Sequence, residues 1–356
     1  MSKNIFSPYR ICPIGAHIDH QGGTVLGRTL NIGTTLEYEP LDTKEIHIIS
    51  DQFGETKFCI GTEIDQMHWA RYAEAAARVL NLKRGMRAHV TGSLIGAGLS
   101  SSASVGLAYL NALADVNDIE LSNKELVDLD YELEHGQLGL QIGLLDPLTI
   151  VHGQKNSLLF MDTITATVTP ISDSPSSCCA WIVAYSGVSR ELTKSGFNQR
   201  VAECFEAAAF LQEDAKILSD VPREIFEETK MTLPENLRRR AEHFFSEAER
   251  VQQGAQAWAE LNMELFGQLM NRSCASSIEN YQVGSDILIE LHELVSNADS
   301  VYGSRFSGGG YGGCVVGLAK KDLAENVCLE VAEKFSALHP ELPSRIFVAE
   351  MGDGLR

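Results

Sequence analysis

A strand-like run, RAHVTGSL, leads straight into IGAGLSSSASVG, and beyond it Val105, Ala108, Tyr109, Ala112, Leu113 and Val116 fall at helical spacing. This strand, loop and helix order restricts the fold more than any other feature of the chain. Gly96 and Gly98 lack the Cβ atoms that would hold a ligand away from the backbone. The helix begins within the Ser run, so its unpaired N–H groups and the positive end of its dipole face one spot. The product is an anion site suited to phosphate. The hydroxyls of Ser100, Ser101 and Ser102 add donors or metal ligands. The pattern G-x-x-x-x-G-K-[ST] is absent and no Lys lies in the loop, so a divalent cation would have to neutralise more of the phosphate charge. The plain alternative is a solvated turn capped by serines.

A second glycine cluster, GGGYGG at Gly308 to Gly313, contains G-x-G-x-x-G, but CVVGLA after it reads as a strand. A dinucleotide fingerprint must open a helix, so an NAD-binding role is disfavoured. A simple hairpin would not need so many glycines; the run suggests a loop pressed against a ligand or another loop.

The start of the chain is unusually polar. YRICPIGAHIDHQGGTVLG places Arg10, His17, Asp19 and His20 on a glycine-flanked stretch that no core strand would tolerate. Farther on, ELEHGQLGLQIGLLD sets Glu134 and Asp146 twelve residues apart. Two carboxylates can divide labour, one holding a metal and one acting as base, although in an acidic protein such a pair is more often surface charge. Asp146 lies between GLL and PLTIV, where an unpaired carboxylate would be costly, and Arg10 is the partner to expect.

The 356 residues suffice for two domains, and 44% apolar with 22% charged residues is ordinary for a globular enzyme. A net charge of −19 argues against a nucleic-acid partner. None of the eight Cys forms C-x-x-C, which disfavours a zinc ribbon or a thioredoxin-like site. No apolar run reaches the roughly 18 residues of a membrane helix, and MSKNIFSPYR lacks a signal peptide, so a cytoplasmic enzyme with reduced thiols is expected. Residues 1–60 read as strands, MHWARYAEAAARVLNLK as a helix, SNKELVDLDYELEHG as a helix with a Ser122/Glu125 capping box, and residues 197–300 as mostly helical. The irregular alternation gives an α+β class. Two domains are expected, residues 1–170 and 171–356.

These segments, in this order, resemble the GHMP kinase superfamily, and the first resembles its galactokinase family. YRICPIGAHIDHQGG is similar to G-R-x-N-x-I-G-E-H-x-D-Y-x-x-G. LIGAGLSSSA is similar to P-x-G-x-G-L-S-S-S-A, with Leu94 for Pro, and SRFSGGGYGGC to S-R-M-T-G-G-G-F-G-G-C. HWARY resembles the W-A-x-Y near an adenine pocket. The resemblance implies a two-domain fold with the active site between the domains, and a sugar 1-kinase using ATP and Mg²⁺. Arg10 then contacts the reacting hydroxyl and phosphate, and Asp146 acts as base or orients that hydroxyl. Glu134 and Ser102 match the Mg²⁺ ligands. His17, Asp19 and Gly143 match sugar positions. Gly96, Gly98, Ser100, Ser101, Ser102 and Ala103 match the ATP phosphate loop, and Trp69 and Tyr72 the neighbours of adenine.

Three departures cluster at the sugar. Ala16 replaces the Glu implied to hold the C6 hydroxyl, His20 replaces a Tyr, and Phe197 replaces a sugar-contacting Tyr. A hexuronic acid carries a carboxylate at C6. Two like charges ~4 Å apart at an effective dielectric of ~20 repel by about 4 kcal/mol, so Ala16 removes a barrier to that substrate. His20, when protonated, would attract the carboxylate. PYRICPIGAHIDHQGGTV resembles the galacturonokinase branch, which implies D-galacturonic acid as acceptor. The alternatives are D-galactose itself, or a non-catalytic sugar sensor on the same fold.

Overall fold

The computed structural model describes residues 2–65, 67–174, 178–189 and 196–356. Its first half is built on a seven-stranded sheet made of β1 (Lys3–Ile11), β2 (Thr24–Pro40), β3 (Glu45–Ser50), β4 (Gly54–Cys59), β5 (Met86–Gly92), β6 (Ser157–Asp162) and β7 (Thr167–Ser172). The order is β4-β3-β5-β2-β6-β7, with β1 also paired to β2. β2 holds the sheet together: Thr24 to Gly27 pair with β6, and Thr34 to Pro40 with β5. The β1–β2 register shifts between Pro8 and Arg10, a bulge that re-aims the polar end of β1.

Four helices belong to this half: α1 (Arg71–Val79), α2 (Ser101–Val116), α3 (Asn123–Tyr131) and α4 (Leu145–His152). α2 is buried on most sides, from Ala103 to Val116, which explains its nearly continuous apolar sequence. α1 is shorter than the helix expected over 67–83. Asp65 Oδ1 accepts from Met67 N, and His68 Nδ1 accepts from Ala70 N, so side chains hold this backbone in turns until Arg71. The Ser122/Glu125 capping box is formed in both directions, at 3.3 and 2.8 Å. Beyond Tyr131 the helix widens into a π turn, Glu132–Gln137, rather than running on to Gly136 in α form.

The second half carries an antiparallel sheet, β11-β8-β10-β9, from β8 (Cys179–Tyr185), β9 (Val301–Ser307), β10 (Cys314–Lys320) and β11 (Arg345–Ala349). Its helices are α5 (Phe197–Leu211), α6 (Arg223–Thr229), α7 (Glu235–Ala259), α8 (Met263–Glu279), α9 (Asp286–Ser296) and α10 (Ala324–Leu338). Two features cut across a division at residue 170: β7 runs to Ser172, and the tail returns to the first half, with Met351 bridged to Leu30 and Arg356 N donating to Phe6 O at 3.0 Å. The core is correspondingly continuous. One buried cluster takes residues from both halves, and a smaller one lies between the second sheet, α9 and α10. None of the eight Cys forms a disulfide with another described residue, and no helix among the described residues is long and apolar enough to cross a membrane.

Candidate active site

The two glycine clusters meet. A Cβ on Gly98 would lie 2.5 Å from Ser307 O, and one on Gly313 would lie 2.5 Å from Ala97 O. Gly98 and Gly313 also have φ of 75° and 96°, where side chains are strained. The GGGYGG loop joins β9 to β10, so a strand follows it and the dinucleotide reading fails on geometry. Its function is to bring the second half against the Ser-rich loop, backbone to backbone. Gly98→Ala is therefore expected to cost about 2 kcal/mol or more, because carbonyl oxygens cannot move aside as a side chain can. A urea midpoint shifted down at unchanged slope would show it.

The Ser run opens α2 as the spacing predicts. Ser100 sits in the left-handed region at φ 61°, and Ser101 Oγ accepts from Gly96 N at 3.0 Å, which folds the loop over the helix start. Ala103 is fully buried under it. The loop also takes part in a contact that joins three distant segments. Arg10 Nε donates to Asp146 Oδ1 at 2.6 Å, and its Nη1 donates to Gly98 O at 3.2 Å and Ser307 Oγ at 3.3 Å. Ser100 Oγ donates to the other oxygen of Asp146. The Arg10 side chain is 5% exposed and that of Asp146 21%, so the pair is shielded but open to a ligand on the carboxylate side.

The sugar-assigned residues lie together on the far side of Asp146. Asp19 Oδ2 accepts from Leu145 N at 3.4 Å. Gly143 is needed beside it, because a Cβ there would lie 2.5 Å from His20 N and 2.6 Å from Asp19 Oδ2. Burial, and then the charge of Asp146, push the Asp19 carboxyl up to about 6. His17 adopts φ 66° and stacks on Tyr281 with ring centres 4.5 Å apart; its Nε2 is buried with no partner among the described residues. Phe197 closes the wall, 6.3 Å from the His17 ring and 6.4 Å from that of His20. Ala16 is 3% exposed, and its carbonyl accepts from His243 Nε2 at 3.0 Å.

The expected charge on His20 is not supported. Gln21 Oε1 accepts from Leu218 N, which orients the amide so that its Nε2 donates to His20 Nδ1 at 3.1 Å. His20 Nε2 then carries the proton and faces Tyr281 OH at 3.0 Å. Desolvation, with His243 nearby, holds its pKa down at about 3, so the ring is neutral at physiological pH. His20 can donate or accept hydrogen bonds, but it supplies no positive charge to the pocket.

Glu134 and Ser102 form the other end of the site. Glu134 lies in the π turn, 1% exposed, with Oε1 lacking any partner among the described residues. Burial first, then Asp146, push its carboxyl up to about 8, while the Ser102 hydroxyl and the Arg10 charge oppose the shift. One helical turn back, Asp130 is fully buried with both carboxylate oxygens unpartnered among the described residues. Acidic oxygens so poorly satisfied suit a hard cation. Tyr72 is packed under Arg71 at 5.4 Å and feels Glu134, so its surroundings are those of this end of the site. Trp69 is stacked between Phe53 and His68 at 5.9 and 5.5 Å.

Several contributors carry no local signal in the sequence. Tyr281 stands just past the end of α8 and His243 on α7, and neither has a neighbouring motif that marks it. Glu247 lies midway along α7, yet its Oε1 accepts from Gly15 N at 2.7 Å and so fixes the turn before Ala16. Burial would raise its carboxyl, but Arg250, His243 and Arg305 more than reverse this and hold it down at about 2. Phe53, exposed and stacked on Trp69, sits in a β-turn that nothing distinguishes from its neighbours.

Comparison with known proteins agrees with this arrangement. The family model for the GHMP kinases N terminal domain matches residues 70–154, and that for the GHMP kinases C terminal matches residues 255–337. A galacturonokinase from Arabidopsis thaliana is 36% identical, with 99% of this chain and 92% of that one covered. A galactokinase from Clostridium beijerinckii is 29% identical over 99% and 93%. The crystal structure of Lactococcus lactis galactokinase complexed with galactose superposes with a TM-score of 0.93 at 27% identity, covering 100% of this chain and 95% of that one. The loop that opens α2, the glycine contact that closes over it and the full-length likeness to these enzymes make the chain a member of the GHMP kinase family, related to its galactokinases and galacturonokinases.

Proposed function

We propose that this chain is an ATP-dependent sugar 1-kinase and that its acceptor is D-galacturonic acid. The observation that carries the reading is the seat of Asp146: Arg10 and Ser100 hold it at the mouth of the Ser-rich anion loop, beside Asp19 and Gly143. The acid-specific acceptor is supported by Ala16, which leaves the pocket without the carboxylate that would repel a uronate, and by the full-length relation to a galacturonokinase.

In this mechanism Asp19 and His17 fix the sugar ring, and Gly143 lets the Asp19–His20 backbone and the Asp19 carboxylate pack close beside it. The anomeric oxygen attacks the γ-phosphorus, the bond to the ADP oxygen breaks, and Asp146 accepts the hydroxyl proton. Arg10 offsets charge on the transferring group. The donors at the start of α2 hold the nucleotide phosphates. Glu134 and Ser102 would hold Mg²⁺, which when bound neutralises phosphate charge. Transition states of this kind are loose, so positioning and charge stabilisation outweigh proton removal.

Sugar-dependent ADP release, measured with galacturonate, galactose and glucuronate at equal concentration, tests the reading. Galacturonate should be fastest. D-Galactose as the main acceptor is the second reading, favoured by the retained His17, Asp19 and Gly143. If no sugar released ADP, the chain would be a sensor and not an enzyme.

The pH dependence is also set. Asp19 accepts sugar hydroxyls only when ionised, and its carboxyl is raised to about 6. Above that pH it is charged, and as the pH falls through 6 it is protonated and loses acceptor capacity. The KM for the sugar should therefore rise about tenfold between pH 7 and pH 5. In Asp19→Asn, KM should be high and flat over the same range. A wild-type KM that did not change would remove Asp19 from the sugar site.

A further inference from the structure

We propose that Arg200 is the residue that reads the C6 carboxylate of the sugar acid, through the Nε edge of its guanidinium. This rests on the galacturonate reading above. Removing a repulsive Glu does not by itself bind a carboxylate; a buried anion also needs a cation with matching geometry. The pocket histidines do not supply it: burial first of all holds His17, His20 and His243 below the ordinary imidazole range, and Gln21 Nε2 occupies His20 Nδ1. Arg10 is committed to Asp146, Gly98 and Ser307. Arg240 donates from Nε to Glu203 at 2.7 Å and from Nη2 to Gln282 at 2.7 Å, and its Nη1 is on Asn280 O.

Arg200 differs. It stands one turn beyond Phe197 on α5, so the two share a face, and Phe197 packs against His17 and His20 in the sugar wall. Both of its hydrogen bonds leave from Nη1, at 3.2 and 3.3 Å to the oxygens of Glu203. Its Nε is buried with no partner among the described residues. Glu203 thus serves two guanidiniums at once, so the Arg200, Glu203 and Arg240 group carries one net positive charge, in a chain whose net charge is −19. Tyr311, from the GGGYGG loop, closes over the same place: its hydroxyl would lie 3.1 Å from a Cβ on Gly196. An unused guanidinium edge with a phenol beside it suits a planar carboxylate, and a neutral hydroxymethyl group would leave that edge unpaired.

The test compares Arg200→Gln and Arg200→Lys with the wild type, using galacturonate and galactose, which differ only at C6. Arg200→Gln should raise the KM for galacturonate about 30-fold, the loss typical of one charge-assisted hydrogen bond, with kcat little changed. Galactose kinetics should stay within about threefold. Arg200→Lys keeps the charge and the pairing with Glu203 and should recover part of the loss, so it carries the test if Arg200→Gln folds poorly by thermal melting. Equal losses for both sugars, or no loss for galacturonate, would overturn the assignment while leaving the substrate reading intact. A wild-type protein that phosphorylated galactose and ignored galacturonate would overturn the substrate reading, and the role of Arg200 with it.

Discussion

Asp146→Asn is expected to lower kcat about 10³-fold, within the span seen for loss of a general base, while sugar affinity changes only a few-fold. The asymmetry follows from what the carboxylate touches. Oδ1 accepts from Arg10 Nε at 2.6 Å, and Oδ2 accepts from Ser100. An Asn keeps the shape and one acceptor, so Asp19, Gly143 and the aromatic wall still hold the ring. It cannot take up the hydroxyl proton, and it leaves the largely buried Arg10 without a counter-charge during transfer. Single-turnover rates, together with calorimetric titration of the sugar, separate the two effects. Unchanged turnover would rule out the assignment of Asp146 as base.

Ala16→Glu is expected to reverse the choice of sugar. Ala16 is 3% exposed in a turn pinned by Glu247 on one side and His243 on the other, so a longer side chain here has little freedom to turn away. A carboxylate ~4 Å from the uronate carboxylate repels it by about 4 kcal/mol at an effective dielectric of ~20. That corresponds to about 10³-fold in kcat/KM for galacturonate. Galactose, which offers a hydroxyl, should gain. Ala16→Gln separates charge from bulk: if Gln suppresses galacturonate as strongly as Glu does, the effect is steric and the charge argument fails.

What could be read in the sequence was local. Glycines and serines at fixed spacing before an apolar helix determined the α2 loop, and the apolar surroundings of Asp146 called for Arg10, which the structure places at 2.6 Å. The mutual contact of the glycine clusters was foreshadowed only as a loop pressed on something, because nothing local in GGGYGG names residues 97–98 as its partner. The state of His20 is not legible in the sequence: its ordinary pKa suggests a switch, and only the fold reveals that burial, with His243 nearby, holds it neutral. The same holds for Glu247, whose place in α7 gives no hint that it fixes Gly15 from 232 residues away. The start of α1 differs from the spacing because side chains of Asp65 and His68 take over backbone hydrogen bonds before Arg71.

The most direct test of the whole account is phosphorus–proton correlation NMR on the product formed from galacturonate and Mg·ATP. One phosphorus coupled to the anomeric proton, in amounts equal to the ADP released, is the expected result. Phosphate on any other oxygen, or ADP released without a sugar phosphate, would contradict it.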